Sequence, residues 1–285
     1  MSLALDRLLK GELGELWIRD RAFERTLRLY GKQDQRTDAW HTTRGKMITA
    51  SEVSKVWQTP ASRMEVLLKK LDPPVAPTGN PIPALIWGTR FEAVAKYLYE
   101  KETQCMIYDV GCCVHPVHSF LGASPDGLIV PNGDDPKRYG RLVEFKCPMS
   151  RPLKDKIPVE YVHQMQMQME CTGINECEYV EFRFKQVFYN EWTEWKEQKG
   201  VFVVRADGKV QYDHEPNWDG AHTNEDDQFV YWILTNMKKD FVPKDPTWLS
   251  SHLPELKAFW DEVIEHRTNG TRPELPPSTV VTMDL

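Results

Sequence analysis

The stretch SPDGLIVPNGDDPKRYGRLVEFKCP, Ser124 to Pro148, constrains this 285-residue chain more than any other. It places an acid after a proline (Asp126), then an apolar run, a turn-rich loop, and a second apolar run ending Glu144-Phe145-Lys146. Side chains alternate faces along a β-strand. Glu144 and Lys146 therefore share one face of LVEFKC, while Val143, Phe145 and Cys147 take the other, apolar face. Leu128, Ile129 and Val130 read as a preceding strand, with PNGDDP supplying the turn. Paired as a hairpin, these strands bring Asp126 toward Glu144, so that two carboxylates and an amine converge on a sheet edge.

Carboxylates held close repel, and a hard divalent cation with oxygen ligands and water relieves the repulsion; Mg²⁺ or Mn²⁺ suits such a set. A bound ion of this kind polarises a phosphoryl oxygen and supplies hydroxide. Lys146 could orient or deprotonate the attacking water if a neighbouring positive charge lowered its pKa. This chemistry is phosphodiester hydrolysis. A solvated acid-x-lysine strand edge is the plain alternative, and the commoner one for such a pair by itself.

The formal net charge of −6 argues mildly against a nucleic-acid partner. Between Lys137 and Lys156, however, seven Lys/Arg stand against only Glu144 and Asp155. That places positive charge around the proposed site, where phosphates would dock, although a solvated charged face fits the same residues. Composition (41% hydrophobic, 27% charged) is that of an ordinary globular protein with one large domain or two small ones. No apolar run is long enough to span a bilayer, and MSLALDRLLKGELGELW lacks a basic start followed by an apolar core. The expectation is a protein that is neither membrane-bound nor secreted. The six cysteines have no paired Cys-x-x-Cys spacing and read as reduced, mostly buried thiols rather than zinc ligands.

Leucines and aromatics between residues 2 and 31 suggest one or two amphipathic helices, an N-terminal arm over 1–37. Thr49 and Glu52 have capping-box spacing, which predicts a helix start with Ser51 in its first turn and Arg44 just upstream. Such an end attracts phosphate, though a capped helix is the plain reading. Ser62 and Glu65 predict a second capped helix, followed by the proline-rich loop PPVAPTGNPIP. In ALIWGTRFEAVAKYLYEKE, Trp87, Phe91, Val94, Ala95 and Leu98 share one face. Glu92 lies off that face, either a surface acid or a third carboxylate aimed at the metal.

Two short strands are expected in 103–124, with His115 and His118 as turn residues. The YVHQMQMQMECTG helix puts Tyr161, Gln164 and Gln168 on one side, toward phosphates or the site, and Val162, Met165 and Met169 on the core side. CEYVEFRFKQVFY reads as a strand and Asp207-Gly208 as a hairpin turn. DDQFVYWILTNMKKDF and LPELKAFWDEVIEHR read as two helices, with 271–285 as a loosely held tail. The order predicts one α/β or α+β domain over 38–270, with a central mixed sheet flanked by helices.

Four blocks in one order, AWHTTRGKMITASEV, WGTRFE, SPDGL and EFKCP, followed by YVHQMQ, resemble the phage lambda-type exonucleases. These form the YqaJ-like viral recombinase family within the PD-(D/E)xK nuclease superfamily. The resemblance covers roughly Asp38 to Cys171 and implies a restriction-endonuclease-like core. By it, Asp126 and Glu144 are metal-binding carboxylates, Lys146 is the catalytic lysine, and Glu92 is a further acid near the metals. Asp126, Glu144 and the Phe145 backbone carbonyl would hold one Mg²⁺ (or Mn²⁺), and Glu92 would help hold a second. Arg44, Ser51, Ser124 and Gln164, with Arg151, match positions that bind the terminal 5′ phosphate; Leu85 matches an apolar wedge between terminal bases. The implied activity is 5′-to-3′ digestion of one strand from double-stranded DNA ends, leaving 3′ single strands for a single-strand annealing protein. A ring-shaped homotrimer, and a place in the cytoplasm or host cell interior, belong to the same implication. An endonuclease of the same fold acting on DNA or RNA, or an inert DNA-end-binding protein, remain the alternatives.

Overall fold

The computed structural model describes residues 12–31, 35–72, 83–131, 138–218, 220 and 225–274. The first eleven residues of the expected arm, most of the proline-rich loop, most of the turn between Asp126 and Glu144, and 275–285 of the tail lie outside them. Helix α1 (Glu12–Tyr30) is followed by α2 (Asp38–Gly45), which Thr37 caps by accepting from the Trp40 N–H at 3.2 Å. Strand β1 (Ile48–Thr49), a 3₁₀ turn (Ala50–Glu52) and the short α3 (Lys55–Gln58) come next, then α4 (Pro60–Leu71) and α5 (Pro83–Thr103). Strands β2 (Cys105–Tyr108), β3 (Cys113–Val114) and β4 (Leu121–Ala123) lead to the hairpin β5 (Gly127–Pro131) and β6 (Leu142–Lys146). Helix α6 (Val159–Thr172), β7 (Glu176–Gln186), α7 (Tyr189–Glu194), β8 (Lys199–Val204), β9 (Val210–Tyr212), β10 (Gln228–Pro243) and α8 (Trp248–Asn269) complete the chain.

The main sheet has the strand order β2-β5-β6-β7-β10-β8-β9, with β6 and β7 parallel and the other neighbours antiparallel. A second, three-stranded sheet is ordered β1-β4-β3. The expected mixed sheet flanked by helices is therefore present. Helix α5 covers one face of the main sheet, where Phe91, Val94 and Leu98 meet Val143, Phe145, Phe182 and Trp232. Helices α6 and α8, the small sheet and α1 cover the other, packing Met165, Phe259 and Phe23 with Leu128, Leu142 and Tyr179. Leu142 and Val143 thus serve different cores, as period-2 alternation requires.

Four expectations about elements need correction. DDQFVYWILTNMKKDF is not a helix but the long strand β10, paired to β7 on one side and β8 on the other. Its aromatic and β-branched residues suit a strand, and a short apolar run does not separate the two periods. The region before the hairpin forms three short strands, not two, because β2 joins the main sheet while β3 and β4 join the small one. Thr49 and Glu52 make their reciprocal contacts, but around a 3₁₀ turn rather than a full helix. Helix α4 begins at Pro60 under a Thr59 cap, with Ser62 as the reciprocal partner; proline favours the first helical position, and Glu65 instead pairs with Lys55 at 2.9 Å. His115 is a turn residue as expected: its Nδ1 accepts from the Val117 and His118 N–H groups.

Candidate active site

The hairpin register sets the acids. Gly127 lies opposite Val143, so Asp126 stands at the open end of β5 beside the last residues of β6. Its Oδ2 accepts from the Phe145 N–H at 2.7 Å, which fixes the carboxylate across the strand pair. Glu144, 1% exposed, faces α6 and is clamped there. Lys146 Nζ and Gln164 Nε2 both donate to Oε1, at 2.5 and 2.6 Å, and Gln168 Nε2 donates to Oε2 at 2.6 Å. The Lys146 ammonium also lies over the Tyr161 ring, 4.6 Å from its centroid.

Electrostatics at this floor are unbalanced. Burial, then the neighbouring Glu144 and Glu92 carboxylates, push the Asp126 carboxyl well above its ordinary range. For Lys146, burial acts to lower the pKa, but the Glu144 and Asp126 charges outweigh it and hold the ammonium above the usual lysine range. Among the described residues, no positive neighbour provides the lowering that would make Lys146 a base. One ammonium faces an excess of buried carboxylate, and the donors are hard oxygens. This set fits a hard divalent cation, which Asp126 and Glu144, with the Phe145 carbonyl next to Glu144 in sequence, could hold. Among the described residues, no three or more His, Cys, Asp or Glu side chains are grouped to hold a metal. Glu92 instead pairs with Arg36 at 2.5 Å.

A second cluster borders the acids. Arg44, near the end of α2, donates to Ser124 Oγ (3.3 Å), Thr49 Oγ1 (3.3 Å) and Ser51 Oγ (3.2 Å). Its guanidinium stacks 4.2 Å from the Trp40 ring centroid, and the Trp40 indole N–H donates to Ser124 Oγ at 3.1 Å. None of these partners is anionic, and burial pulls the Arg44 pKa down while more distant Glu52 opposes it. A phosphate would supply the missing negative charge.

All the sequence-derived candidates line one cavity of roughly 530 Å³: Asp126, Glu144, Phe145, Lys146, Glu92, Arg44, Ser51, Ser124, Gln164, Arg151 and Leu85. Their distribution inside it is uneven. Gln164 is drawn to Glu144 and Lys146, and Arg151 to Glu181 at 2.9 Å. Leu85 stands at the rim, 63% exposed. Sequence reasoning missed Trp40 and Gln35. Trp40 lies one helical turn before Arg44, a visible i,i+4 pair. Gln35 donates to the Val110 and Pro125 carbonyls, contacts across 75 and 90 residues with no local signal.

The likeness to known proteins lies in the fold and in one stretch of the sequence. Residues 39–175 match the sequence model of the YqaJ-like viral recombinase domain. An uncharacterized protein of Acanthamoeba polyphaga mimivirus is 21% identical over 300 residues, covering 84% of this chain and 54% of that protein. A protein of African swine fever virus (strain Badajoz 1971 Vero-adapted) is 30% identical over 156 residues, covering 46% of this chain and 44% of its own. The chain spans about half the length of these curated relatives. Among solved structures, an alkaline exonuclease from Laribacter hongkongensis superposes with a TM-score of 0.52 at 23% identity, covering 82% of this chain and 95% of that one. The fold is that of the alkaline exonuclease structure, and the likeness to the YqaJ-like viral recombinase domain is a match confined to residues 39–175.

Proposed function

We propose that the chain is a metal-dependent deoxyribonuclease that removes nucleotides from the 5′ end of one strand of double-stranded DNA and leaves a 3′ single strand for recombination by annealing. The observation that carries this reading is the union of two clusters in one cavity: a buried acidic floor at Asp126 and Glu144, and the Arg44–Ser51–Ser124 cluster beside it. A floor alone would serve any phosphodiester. A cationic cluster beside it, surrounded by hydroxyls, suits a terminal phosphate and holds each new end in register.

Asp126, Glu144 and the Phe145 carbonyl would hold Mg²⁺, or Mn²⁺ in its place, and the ion when bound supplies Lewis-acid polarisation of the phosphoryl group and a more acidic water. Glu92, released from Arg36, would serve a second ion. Gln164 and Gln168 keep both oxygens of Glu144 in place through their amides. Lys146 presents an ammonium beside the acids, placed to orient the attacking water and to offset charge that develops on the phosphoryl oxygens. Arg44, Ser51 and Ser124 bind the 5′ phosphate, Arg151 steadies the strand once Glu181 shares it, and Leu85 enters between the terminal bases. A second structure of the Laribacter hongkongensis enzyme, at 22% identity, holds dAMP, which supports a nucleotide product for a site of this fold. Double-stranded DNA ends are the substrate in this reading, a single-strand annealing protein is the partner that receives the product, and a homotrimer is the candidate assembly. Among the described residues no helix is long and apolar enough to cross a membrane.

Digestion of linear duplex DNA with 5′-phosphate or 5′-hydroxyl ends, beside a closed circle and with Mg²⁺, tests the proposal. Loss of one strand from phosphorylated linear DNA with the circle intact is expected. Nicking of the circle would replace the exonuclease with an endonuclease, and no cleavage of any DNA with Mg²⁺ or Mn²⁺ would leave an end-binding protein.

A further inference from the structure

Helix α5 has a cavity on each side of its first turns. Ala84, Leu85, Gly88, Thr89 and Glu92 line the acidic cavity, and Pro83, Ile86, Trp87, Arg90 and Phe91 line a second cavity of roughly 180 Å³. At about 100° per residue these two sets lie on roughly opposite faces of the helix. The second cavity is closed by Gln186 at the end of β7, Phe202 on β8 and Val230 on β10.

Its chemistry differs from that of the acidic cavity. Trp87 lies 4.3 Å from Phe91 between ring centroids, and Phe91 in turn lies 5.4 Å from Phe202, so the wall is layered aromatic. The Trp87 indole N–H is buried and has no hydrogen-bond partner among the described residues. Arg90 is half-buried; its backbone carbonyl accepts from the Tyr212 hydroxyl at 2.7 Å, but its guanidinium has no ion-pair or hydrogen-bond partner among the described residues. Gln186 adds an exposed amide. An aromatic wall, an uncommitted guanidinium, an unpaired N–H and an amide together match one nucleotide: a base to stack, a phosphate to pair, and a base edge to hydrogen-bond.

We propose that this second cavity receives the first unpaired nucleotide of the strand that is not cut, so that the first turns of α5 divide the two strands of the duplex end. Leu85, exposed on the acidic side, parts the terminal pair; the strand to be cut passes over the acids, and its complement turns to the Trp87–Arg90 side. The proposal rests on the exonuclease reading above and adds the path of the product strand. A cavity of this size admits one planar base and not a base pair, which favours a single strand over a duplex.

The test uses the whole chain with Ca²⁺ in place of Mg²⁺ to suppress cleavage. Binding of a blunt 5′-phosphorylated duplex is compared with that of the same duplex carrying a short 3′ tail, whose first unpaired base is 2-aminopurine. The wild-type protein is expected to bind the tailed duplex more tightly and to quench the 2-aminopurine. Arg90→Ala and Gln186→Ala, both at side chains outside the packed core, should each weaken tailed binding, with Arg90→Ala costing roughly tenfold, and should reduce the quenching while blunt binding changes little. Trp87→Phe keeps a stacking ring and removes the N–H, so it should weaken tailed binding less than Arg90→Ala does. Equal tailed-to-blunt ratios and unchanged quenching in Arg90→Ala would overturn the proposal and leave the cavity to another occupant, such as an apolar side chain of a protein partner. A wild-type protein that neither binds nor cuts linear duplex would instead overturn the underlying exonuclease reading.

Discussion

Two buried glutamate–lysine pairs lie on neighbouring parts of this molecule, and they do opposite things. Glu52, in the 3₁₀ turn, meets Lys69 at 2.6 Å and Lys70 at 2.7 Å and accepts from the Thr49 hydroxyl at 2.6 Å. Burial acts to raise its pKa, but the two lysines outweigh burial and bring it down to about 2. Two ammoniums serve one carboxylate, and Glu52 is not among the residues lining the acidic cavity. At Glu144 the ratio is reversed: among the described residues Lys146 is the single ammonium beside Glu144 and Asp126, and Asp126 is pushed up. A buried acid–base pair is therefore not in itself the mark of a site. The mark is unbalanced negative charge that opens onto a cavity. The pairs are also connected, since Lys70 Nζ donates to the Arg44 carbonyl at 3.2 Å and so braces the end of the helix that carries the phosphate-binding candidate.

The comparison breaks most visibly at the acids themselves. Asp126→Ala or Lys146→Ala should lower strand cleavage by on the order of 10³-fold while a gel-shift assay still detects DNA binding; turnover at the wild-type rate in either variant would remove the assignment. Glu52→Ala acts instead on stability. It strands Lys70, 2% exposed, without its carboxylate and should cost about 3–5 kcal/mol in a urea melt.

Acid titration reads the same pair. Glu52 has a folded pKa of about 2 against an ordinary 4.5, so its contribution is complete above pH 4.5 and is lost as pH falls toward 2, on the order of 3 kcal/mol in all. His115 adds a loss of the same sign. Burial lowers its pKa to about 4, so its contribution is complete above pH 6.5 and declines toward pH 4. Stability that stayed flat from pH 7 to pH 3 would contradict both assignments. Arg44→Ala should have the smallest effect on cleavage as such, reducing the preference for 5′-phosphate over 5′-hydroxyl ends by roughly tenfold, as read by competition between the two substrates.

What the sequence made legible was local. The hairpin could be read because alternation and turn residues act over a few positions, and its register then brings Asp126 to Phe145 without further information. The row of Gln164 and Gln168 could be seen at one-turn spacing, but not that both amides close on a single carboxylate. Helix and strand were confused in β10, where an apolar run flanked by charges fits either period and the decision lies with β7 and β8, distant in sequence. Gln35 was invisible for the same reason, since its amide reaches the Pro125 carbonyl across 90 residues. The opposite faces of α5 were present in the spacing of its residues, yet the second cavity needs Gln186, Phe202 and Val230 to close it.

The most direct test of the central claim is a calorimetric titration of the whole chain with Mn²⁺ and with Mg²⁺, made on wild type, Asp126→Asn and Glu52→Gln. Unbalanced charge at the acidic floor predicts that wild type and Glu52→Gln bind the ion and that Asp126→Asn loses most of that binding. Ion binding in Asp126→Asn as tight as in the wild-type protein, or none in either, would show that the buried carboxylates of the floor are not a cation site.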